Sequence, residues 1–202
     1  MNRVAAIVLA AGTASRYRAA DPSIATKLVA LIDGVAIVRR VVEAALASHA
    51  RPVVVVTGYA EAEVRAALDG LTVGFVANPD YATGMASSLR AGLAALSPES
   101  DGALVLLGDM PGVTAPLLHG LIAAYGAEPG VDAAVPVHDG RRGNPVLLGR
   151  ALFGAAMDLH GDEGARRLLT GAHILQVDVA DEAVLIDVDD PATLNLMEQT
   201  IK

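Results

Sequence analysis

The amino-acid sequence predicts an α/β fold with a mostly parallel central sheet and helices on both faces. Apolar runs of strand length alternate along the chain with segments of helical period. Hydrophobic residues make up 53% of the 202 residues and aromatic residues only 3%, so the chain can bury a substantial aliphatic core. Polar or glycine-rich sequence follows several of the apolar runs. Ligands of parallel sheets bind at the carboxyl ends of the strands, so these polar segments are the candidate binding loops.

In the first part of the chain, predicted strands and helices alternate. Residues 4–9 form a continuous apolar run typical of a buried strand, and residues 36–47 carry apolar side chains at helical spacing. Strands and helices then alternate, beginning with a strand, at residues 53–56, 60–68, 72–76, 85–96, 103–107 and 115–125. Such alternation indicates right-handed crossovers that cover both faces of a parallel sheet.

The second part of the chain contains shorter predicted elements. Strands are predicted at residues 133–137, 145–148, 174–179 and 184–188, and short helices at residues 151–159 and 163–169. A last helix is predicted over residues 191–201, with Pro191 in its first turn. Because the sequence shows no internal repeat or linker, we expect one domain over residues 1–202.

Composition excludes several classes of function. The formal net charge of −8 argues against non-specific nucleic-acid binding and against a polybasic membrane surface. The absence of cysteine excludes disulfides and thiol catalysis, and no apolar run approaches the roughly 20 residues that cross a bilayer. Residues 4–11 resemble a short signal peptide or a first buried strand; we favour the strand and therefore expect a cytoplasmic protein.

The loop after the first strand has the composition of a phosphate-binding turn. It begins at Leu9 and continues with Ala10, Ala11 and Gly12, whose small size lets the backbone approach a bulky anion. Backbone N–H groups in such a turn can point inward toward phosphate oxygens. Neither the Walker pattern nor the dinucleotide fingerprint is present, and an ordinary strand-to-loop turn is the alternative.

Two cations follow this turn. Arg16 and Lys27 would neutralise a triphosphate from two sides. Arginines outnumber lysines 13 to 2 in this chain, so the lysine at position 27 is an exception. A compact ammonium on a flexible stem suits a phosphate that moves during the reaction. The alternative is a pair of surface cations without a ligand.

These residues resemble the signature of molybdenum-cofactor nucleotidyltransferases and their sugar-phosphate relatives. That signature is a first strand, then Leu-Ala-Ala-Gly, then an arginine and a lysine. Ala11, where guanylyltransferase members usually have glycine, is closer to the molybdenum cofactor cytidylyltransferase family. The chain departs from the pattern in the longer stretch between Arg16 and Lys27. The resemblance implies a Rossmann-like nucleotidyltransferase fold.

A second polar segment, residues 78–89, lies between a predicted strand and a predicted helix. Asn78 can donate to and accept from a base or ribose, and Gly84 permits close approach of a ligand. Ser87 and Ser88 lie in the first helical turn, where backbone N–H groups favour anions. A capped helix start is the alternative, while the resemblance implies nucleotide contacts here.

A third cluster follows the strand predicted at residues 103–107. Asp109 lies just past this strand, where a carboxylate faces the ligand crevice of a parallel sheet. Reactions of nucleoside triphosphates use Mg²⁺, which takes one or two protein carboxylates, so Asp109 is the candidate ligand. The alternative is a helix-capping aspartate. In the resembled family the matching Gly-Asp-x-Pro aspartate holds the metal.

The resemblance extends into residues 140–190. Gly143-Asn144-Pro145 stands where cytidylyltransferase members usually have Gly-His-Pro, and Arg166 lies in a stretch like the family's Gly-Asp-x-Gly-Ala-Arg. Asn144 and Arg166 are therefore candidate acceptor-side residues, with a solvated basic face as the alternative for the arginine. Asp187 is a candidate second metal ligand, and Asp190 a helix N-cap before Pro191.

The resemblance implies attack of an acceptor phosphate on the α-phosphorus of CTP, with release of pyrophosphate and with molybdopterin cofactor as the acceptor. A sister enzyme that guanylylates or cytidylylates a sugar or isoprenoid phosphate is one alternative. A non-catalytic nucleotide-binding module is another. A glycosyltransferase of similar fold is disfavoured, because its Asp-x-Asp metal motif is matched only late in this chain, by Asp187-Val188-Asp189.

Overall fold

The computed structural model describes residues 3–20 and 24–200. The strands are β1 (Val4–Ala10), β2 (Leu31–Ile32), β3 (Val35–Ala36), β4 (Val53–Thr57), β5 (Gly74–Ala77), β6 (Gly102–Leu107), β7 (Ala133–His138), β8 (Arg141–Arg142), β9 (Val146–Gly149) and β10 (Ile174–Asp178). The α-helices are α1 (Ser15–Ala20), α2 (Ile37–Ala47), α3 (Glu61–Ala67), α4 (Met85–Ala94), α5 (Ala115–Ala127), α6 (Phe153–Ala156) and α7 (Pro191–Thr200). Short 3₁₀ turns span Lys27–Val29, Tyr81–Thr83, Arg150–Leu152, Ala165–Leu169 and Glu182–Leu185.

The main sheet has the strand order β10-β7-β9-β6-β1-β4-β5, and β8 pairs with β7. Strands β6, β1, β4 and β5 pair in parallel, while β9 runs antiparallel to both of its neighbours. The prediction of a mostly parallel sheet is confirmed. Because parallel strands end at the same edge, the loops after β1, β4, β5 and β6 converge there.

Helices cover both faces of this sheet, as predicted. Ala6 and Val8 of β1 pack in one core cluster with Val38 of α2 and Leu118 of α5. The intervening residue Ile7 packs on the opposite face, in a cluster that contains Leu89 and Leu93 of α4 and residues near α6. A strand buried on both faces needs apolar residues at every position, which explains the continuous run at residues 4–9.

A third, smaller cluster joins the beginning and the end of the chain. Tyr17 of α1, which is 2% exposed, packs in it with Ile32, Ile37, Val188 and Met197. This contact ties α1 and the β2–β3 hairpin to the segment before α7 and to α7 itself. The cluster therefore brings residues 187–189 to the first loop.

The prediction of a strand at residues 184–188 is wrong. Glu182–Leu185 forms a 3₁₀ turn, and the Asp181 side chain caps it by accepting from the Ala183 N–H. Val184 and Val188 are both buried, but the residues between them form no strand. The Val188 N–H donates to the carbonyl of Asp109, so this segment crosses the end of β6.

Other predicted elements differ in type or extent. The helix predicted at residues 163–169 is a 3₁₀ turn at Ala165–Leu169, and that predicted at 151–159 is a 3₁₀ turn followed by α6. Ile201, the predicted end of the last helix, lies outside the described residues, as do residues 21–23 of the first loop. Among the described helices, none is long and apolar enough to span a bilayer.

Candidate active site

A pocket of about 430 Å³ opens at the edge of the sheet where the parallel strands end. Its walls are the loop after β1, the turn before α4, the end of β6 and the segment before α7. Eight residues selected from the sequence line it: Leu9, Ala11, Gly12, Arg16, Lys27, Gly84, Asp109 and Asp187. The structure thus brings together predicted residues from both ends of the chain.

Asp109 is held at the base of this pocket by the close approach of β6 to β1. The Gly108 N–H donates to the carbonyl of Leu9 at 3.0 Å. A Cβ atom at Gly108 would lie 2.9 Å from that carbonyl oxygen, so a larger residue would push the two strand ends apart. The carbonyl of Asp109 accepts from Val188, which fixes the following turn.

Lys27 is the side chain that connects the first loop to the acidic residues. It begins the 3₁₀ turn Lys27–Val29, whose N-cap is the fully buried Thr26. Its Nζ atom lies 2.7 Å from Oδ2 of Asp109 and 2.6 Å from Oδ1 of Asp189. The Lys27 side chain is only 13% exposed, so this ammonium is held between two carboxylates.

Arg16 reaches the same acidic group from α1. Its NH1 atom lies 2.6 Å from Oδ2 of Asp189, and its side chain is 82% exposed. The sequence analysis did not select Asp189 as a site residue. Alternate residues of an extended segment point the same way, so the Asp187-Val188-Asp189 spacing was the signal that could have found it.

The charged side chains of Lys27, Asp109 and Asp189 shift one another's pKa values. Burial raises the pKa of the Asp109 carboxyl, and the adjacent Lys27 opposes the shift without cancelling it. Burial alone would lower the pKa of Lys27, but Asp109 and Asp189 outweigh it and raise that pKa above its usual value. The hydrogen bond from Lys27 is the main cause that lowers the pKa of Asp189. Lys27 is therefore charged at neutral pH.

The acidic residues fit a hard divalent cation. One carboxylate oxygen from each of Asp109, Asp187 and Asp189 lies within 4.8 Å of the others. The Oδ1 atom of Asp109 is buried and has no hydrogen-bond partner among the described residues. A buried carboxylate oxygen without a donor is destabilised unless a cation or a water contacts it. This donor set is of the kind that Mg²⁺ and Mn²⁺ prefer.

Asn78 lies behind the pocket wall instead of lining it. It is 4% exposed, and its Nδ2 atom donates to the hydroxyls of Ser87 at 2.8 Å and Ser88 at 3.0 Å. Its Oδ1 atom accepts from the Asp80 N–H. Asn78 and Ser87 thus fasten the turn after β5 to the start of α4, while Ser88 and Tyr81 lie on the pocket surface.

Gly84 packs against a loop from the second half of the chain. Its φ of +113° favours glycine, and an added Cβ would overlap the backbone of Gly161. The Ala86 N–H donates to the carbonyl of Gly161 at 3.0 Å. This contact brings Asp162 into the pocket wall, a residue that the sequence analysis did not select.

The two candidate acceptor-side residues do not line this pocket, and neither does the buried Ala10. The backbone N–H of Asn144 donates to the carbonyl of Val184 at 2.8 Å, next to the 3₁₀ turn before α7. Arg166 is exposed, and its NH2 atom donates to the carbonyl of Arg142 at 3.3 Å. The structure therefore places both residues outside the group formed by Lys27 and Asp109.

A family model and a characterised relative both match this chain in sequence. The family model described as "MobA-like NTP transferase domain" matches residues 6–178. The molybdenum cofactor cytidylyltransferase of Escherichia coli K12 is 27% identical over 143 residues, which are 69% of this chain and 70% of that protein.

Two solved structures resemble nearly the whole chain. A homologue of Rv0371c from Mycobacterium sp. strain JC1 is 28% identical, with a TM-score of 0.82 over 100% of this chain and 98% of that one. Rv0371c of Mycobacterium tuberculosis H37Rv, solved as a complex with manganese, is 26% identical, with a TM-score of 0.79 over 98% of this chain and 100% of that one. The predicted Rossmann-like nucleotidyltransferase fold is confirmed.

Proposed function

The chain belongs to the family of MobA-like NTP transferase domains, and on this premise we propose that it transfers CMP from CTP to a phosphate-bearing acceptor with release of pyrophosphate. Nucleotidyltransferase activity of the MobA-like or cytidylyltransferase type follows from the family and from the E. coli relative. We further propose that residues 1–202 act as one NTP-transferase domain and that the acceptor is molybdopterin or molybdenum cofactor.

The observation that carries this proposal is the placement of Lys27. Its ammonium lies between Asp109 and Asp189 in a pocket that opens onto the small residues of the first loop. An ammonium beside carboxylates that fit a divalent metal provides the charges that stabilise a phosphoryl-transfer reaction. Lys27 and Arg16 would bind and neutralise the phosphates of the triphosphate.

The acidic residues would hold Mg²⁺, with Asp109 as the principal ligand and Asp187 as the second. The bound cation would neutralise phosphate charge as it develops. The M. tuberculosis relative was solved as a complex with manganese, which supports a divalent metal as a cofactor of this chain. Asp189 is the third carboxylate of this group, whose ligand oxygens lie within 4.8 Å of one another, and it was not among the predicted metal ligands.

The proposed reaction depends on positioning of the two substrates and on neutralisation of phosphate charge more than on covalent chemistry by the protein. An oxygen of the acceptor phosphate forms a bond to the α-phosphorus, the bond from the α-phosphorus to the bridging oxygen breaks, and pyrophosphate leaves with the electron pair. Leu9, Ala11 and Gly12 would let the backbone approach the nucleotide, and no atom lies within 4 Å of the position that a Cβ at Gly12 would occupy. No covalent nucleophile on the protein is required.

Different observations support the proposed nucleotide and the proposed acceptor. The name of the E. coli relative supports CTP and the molybdenum cofactor, and the alanine at position 11 supports CTP. Asn78 and Ser87 would act on the nucleotide through the turn they fasten, and Asn144 and Arg166 stay predicted acceptor-side residues. The acidic net charge supports small-molecule partners over nucleic acid or a membrane surface. The cytoplasmic location stays a prediction.

Calorimetric titration of CTP and GTP, each with Mg²⁺, tests the nucleotide, and pyrophosphate release with a panel of acceptors tests the reaction. We expect CTP to bind tighter than GTP and molybdopterin to give the fastest release. Release with a sugar or isoprenoid phosphate instead would assign the chain to a sister activity. Binding of CTP without release for any acceptor, unaffected by Asp109→Ala, would identify a non-catalytic binding module.

A further inference from the structure

Both cations assigned to the triphosphate are bound to the same carboxylate in this structure. Lys27 Nζ lies 2.6 Å from Oδ1 of Asp189, and Arg16 NH1 lies 2.6 Å from Oδ2 of the same residue. Each oxygen of Asp189 therefore holds one cation. A triphosphate that enters the pocket has to compete with Asp189 for both of them.

The fold, and not a surface side-chain rotamer alone, places this carboxylate. The preceding residue, Val188, is fully buried in the cluster with Tyr17 and Met197, and its N–H donates to the carbonyl of Asp109 at 2.9 Å. The following residue, Asp190, caps α7 by accepting from the Thr193 N–H at 2.7 Å. Asp189 is thus fixed on both sides while its own side chain stays 39% exposed.

The same Asp189 is one of the three carboxylates that could hold a divalent cation. A cation bound to these oxygens would compete with Lys27 and Arg16 for Asp189 and would repel both. Arg16 would then be free for the phosphates, and Lys27 would keep only its contact with Asp109. Metal and nucleotide would favour each other's binding for this reason, and such coupling is reciprocal.

We propose that Asp189 is a positioning residue that holds Lys27 and Arg16 away from the phosphates until a divalent cation occupies its carboxylate. The inference rests on the proposed function, because it takes both cations to be phosphate-binding groups. It makes nucleotide binding depend on metal through the protein's own ion pairs, in addition to any metal carried by the nucleotide. In the absence of metal, the wild-type protein should bind triphosphates weakly.

Asp187 provides a matched control for Asp189. It lies two positions away, belongs to the same candidate metal group and carries the same charge. Within the described part of the chain, Asp187 forms no ion pair with Lys27 or Arg16. Asp187→Asn and Asp189→Asn therefore remove the same charge from the same site, but only the second removes an ion pair from each cation, while Lys27 keeps its ion pair with Asp109.

The experiment measures binding of inorganic tripolyphosphate and of CTP in the presence of EDTA, by calorimetry, without any turnover. We expect Asp189→Asn to bind both probes roughly tenfold tighter than wild type, because charged hydrogen bonds to Lys27 and Arg16 no longer have to be broken. Asp187→Asn should change either affinity by no more than about twofold. Asp189→Ser, which shortens the side chain, should behave like Asp189→Asn; circular dichroism checks that each variant is folded.

A double-mutant cycle separates this mechanism from a general change in charge. In a Lys27→Ala background, Asp189→Asn should lose part of its tightening effect, because only the ion pair with Arg16 is left to be broken. Equal tightening by Asp187→Asn, or an undiminished effect of Asp189→Asn in the Lys27→Ala background, would overturn the proposal.

Failure of the proposed function has a different signature. If wild type binds neither probe, with or without Mg²⁺, both the proposed function and the role of Asp189 are wrong. If wild type binds CTP with Mg²⁺ and Asp189→Asn leaves the metal-free affinity for both probes unchanged, only the role of Asp189 is wrong. Tripolyphosphate tests the cations without a base, so the result does not depend on CTP being the correct nucleotide.

Discussion

The ammonium of Lys27 lies 2.7 Å from Oδ2 of Asp109, which joins the loop after β1 to the end of β6. These two strands are neighbours in the parallel sheet, so the loop that carries Lys27 begins beside the end of β6. The remaining oxygen of Asp109 is buried without a hydrogen-bond partner among the described residues. The pair thus leaves one oxygen of Asp109 available to a further cation.

Replacement of Lys27 by alanine should abolish most turnover while the protein stays folded. Removal of one positioned charge from a phosphoryl-transfer site costs about 10²–10³ in kcat. Lys27→Arg should retain part of the activity, because it keeps the charge but replaces a compact ammonium with a planar group. Pyrophosphate release is the measurement, with circular dichroism as the folding control. Wild-type turnover in Lys27→Ala would contradict the mechanism.

Asp109→Asn should raise the metal requirement steeply. The substitution keeps the size of the side chain but removes the charge of the most buried member of the acidic group. We expect the Mg²⁺ concentration for half-maximal turnover to rise about tenfold or more. Asp162→Asn is the control, since Asp162 lines the same pocket outside that group. An unchanged metal dependence in Asp109→Asn would remove this residue from the site.

Alanine at Gly12 should weaken binding without changing stability, whereas alanine at Gly84 should lower stability. A Cβ at Gly12 meets no atom within 4 Å, so Gly12→Ala should leave the melting temperature unchanged and weaken CTP binding about tenfold, by keeping the phosphates from the backbone. At Gly84, the positive φ and the overlap with Gly161 should lower the free energy of unfolding by about 1–3 kcal/mol. Thermal melting and calorimetry measure the two effects. A lowered melting temperature in Gly12→Ala together with an unchanged one in Gly84→Ala would contradict this prediction.

Acidic pH should lower the stability that Glu163 contributes to the loop beside the pocket. The His160 N–H donates to this carboxylate and is the main cause that lowers its pKa, with Arg167 adding to the shift. A lowered folded-state pKa contributes stability above the unfolded value near 4. That stability is lost as the pH falls through the folded-state pKa. Melting of wild type and Glu163→Gln should therefore differ most at neutral pH and converge in acid, whereas a constant difference would contradict this role.

Much of the fold could be predicted because local patterns determine it. A strand buried on both faces needs an unbroken apolar run, and residues 4–9 show one. The predicted strand at residues 184–188 failed because Val188 is buried in the cluster with Tyr17 and Met197, and its N–H donates to the carbonyl of Asp109 instead of to a neighbouring strand. Burial alone does not distinguish a strand from an extended segment.

The sequence by itself determined the alternation of strands and helices, the small residues of the first loop and the residue types that can bind phosphate and metal. Only the tertiary structure decided which of these residues meet. It placed Asp189 between Lys27 and Arg16, and it placed the Asn78 side chain in hydrogen bonds with Ser87 and Ser88. It also kept Asn144 and Arg166 out of the pocket. The reason is that charge and size are properties of each residue, whereas the distance between two side chains far apart in sequence depends on sheet order and on the packing of α7 against the first loop.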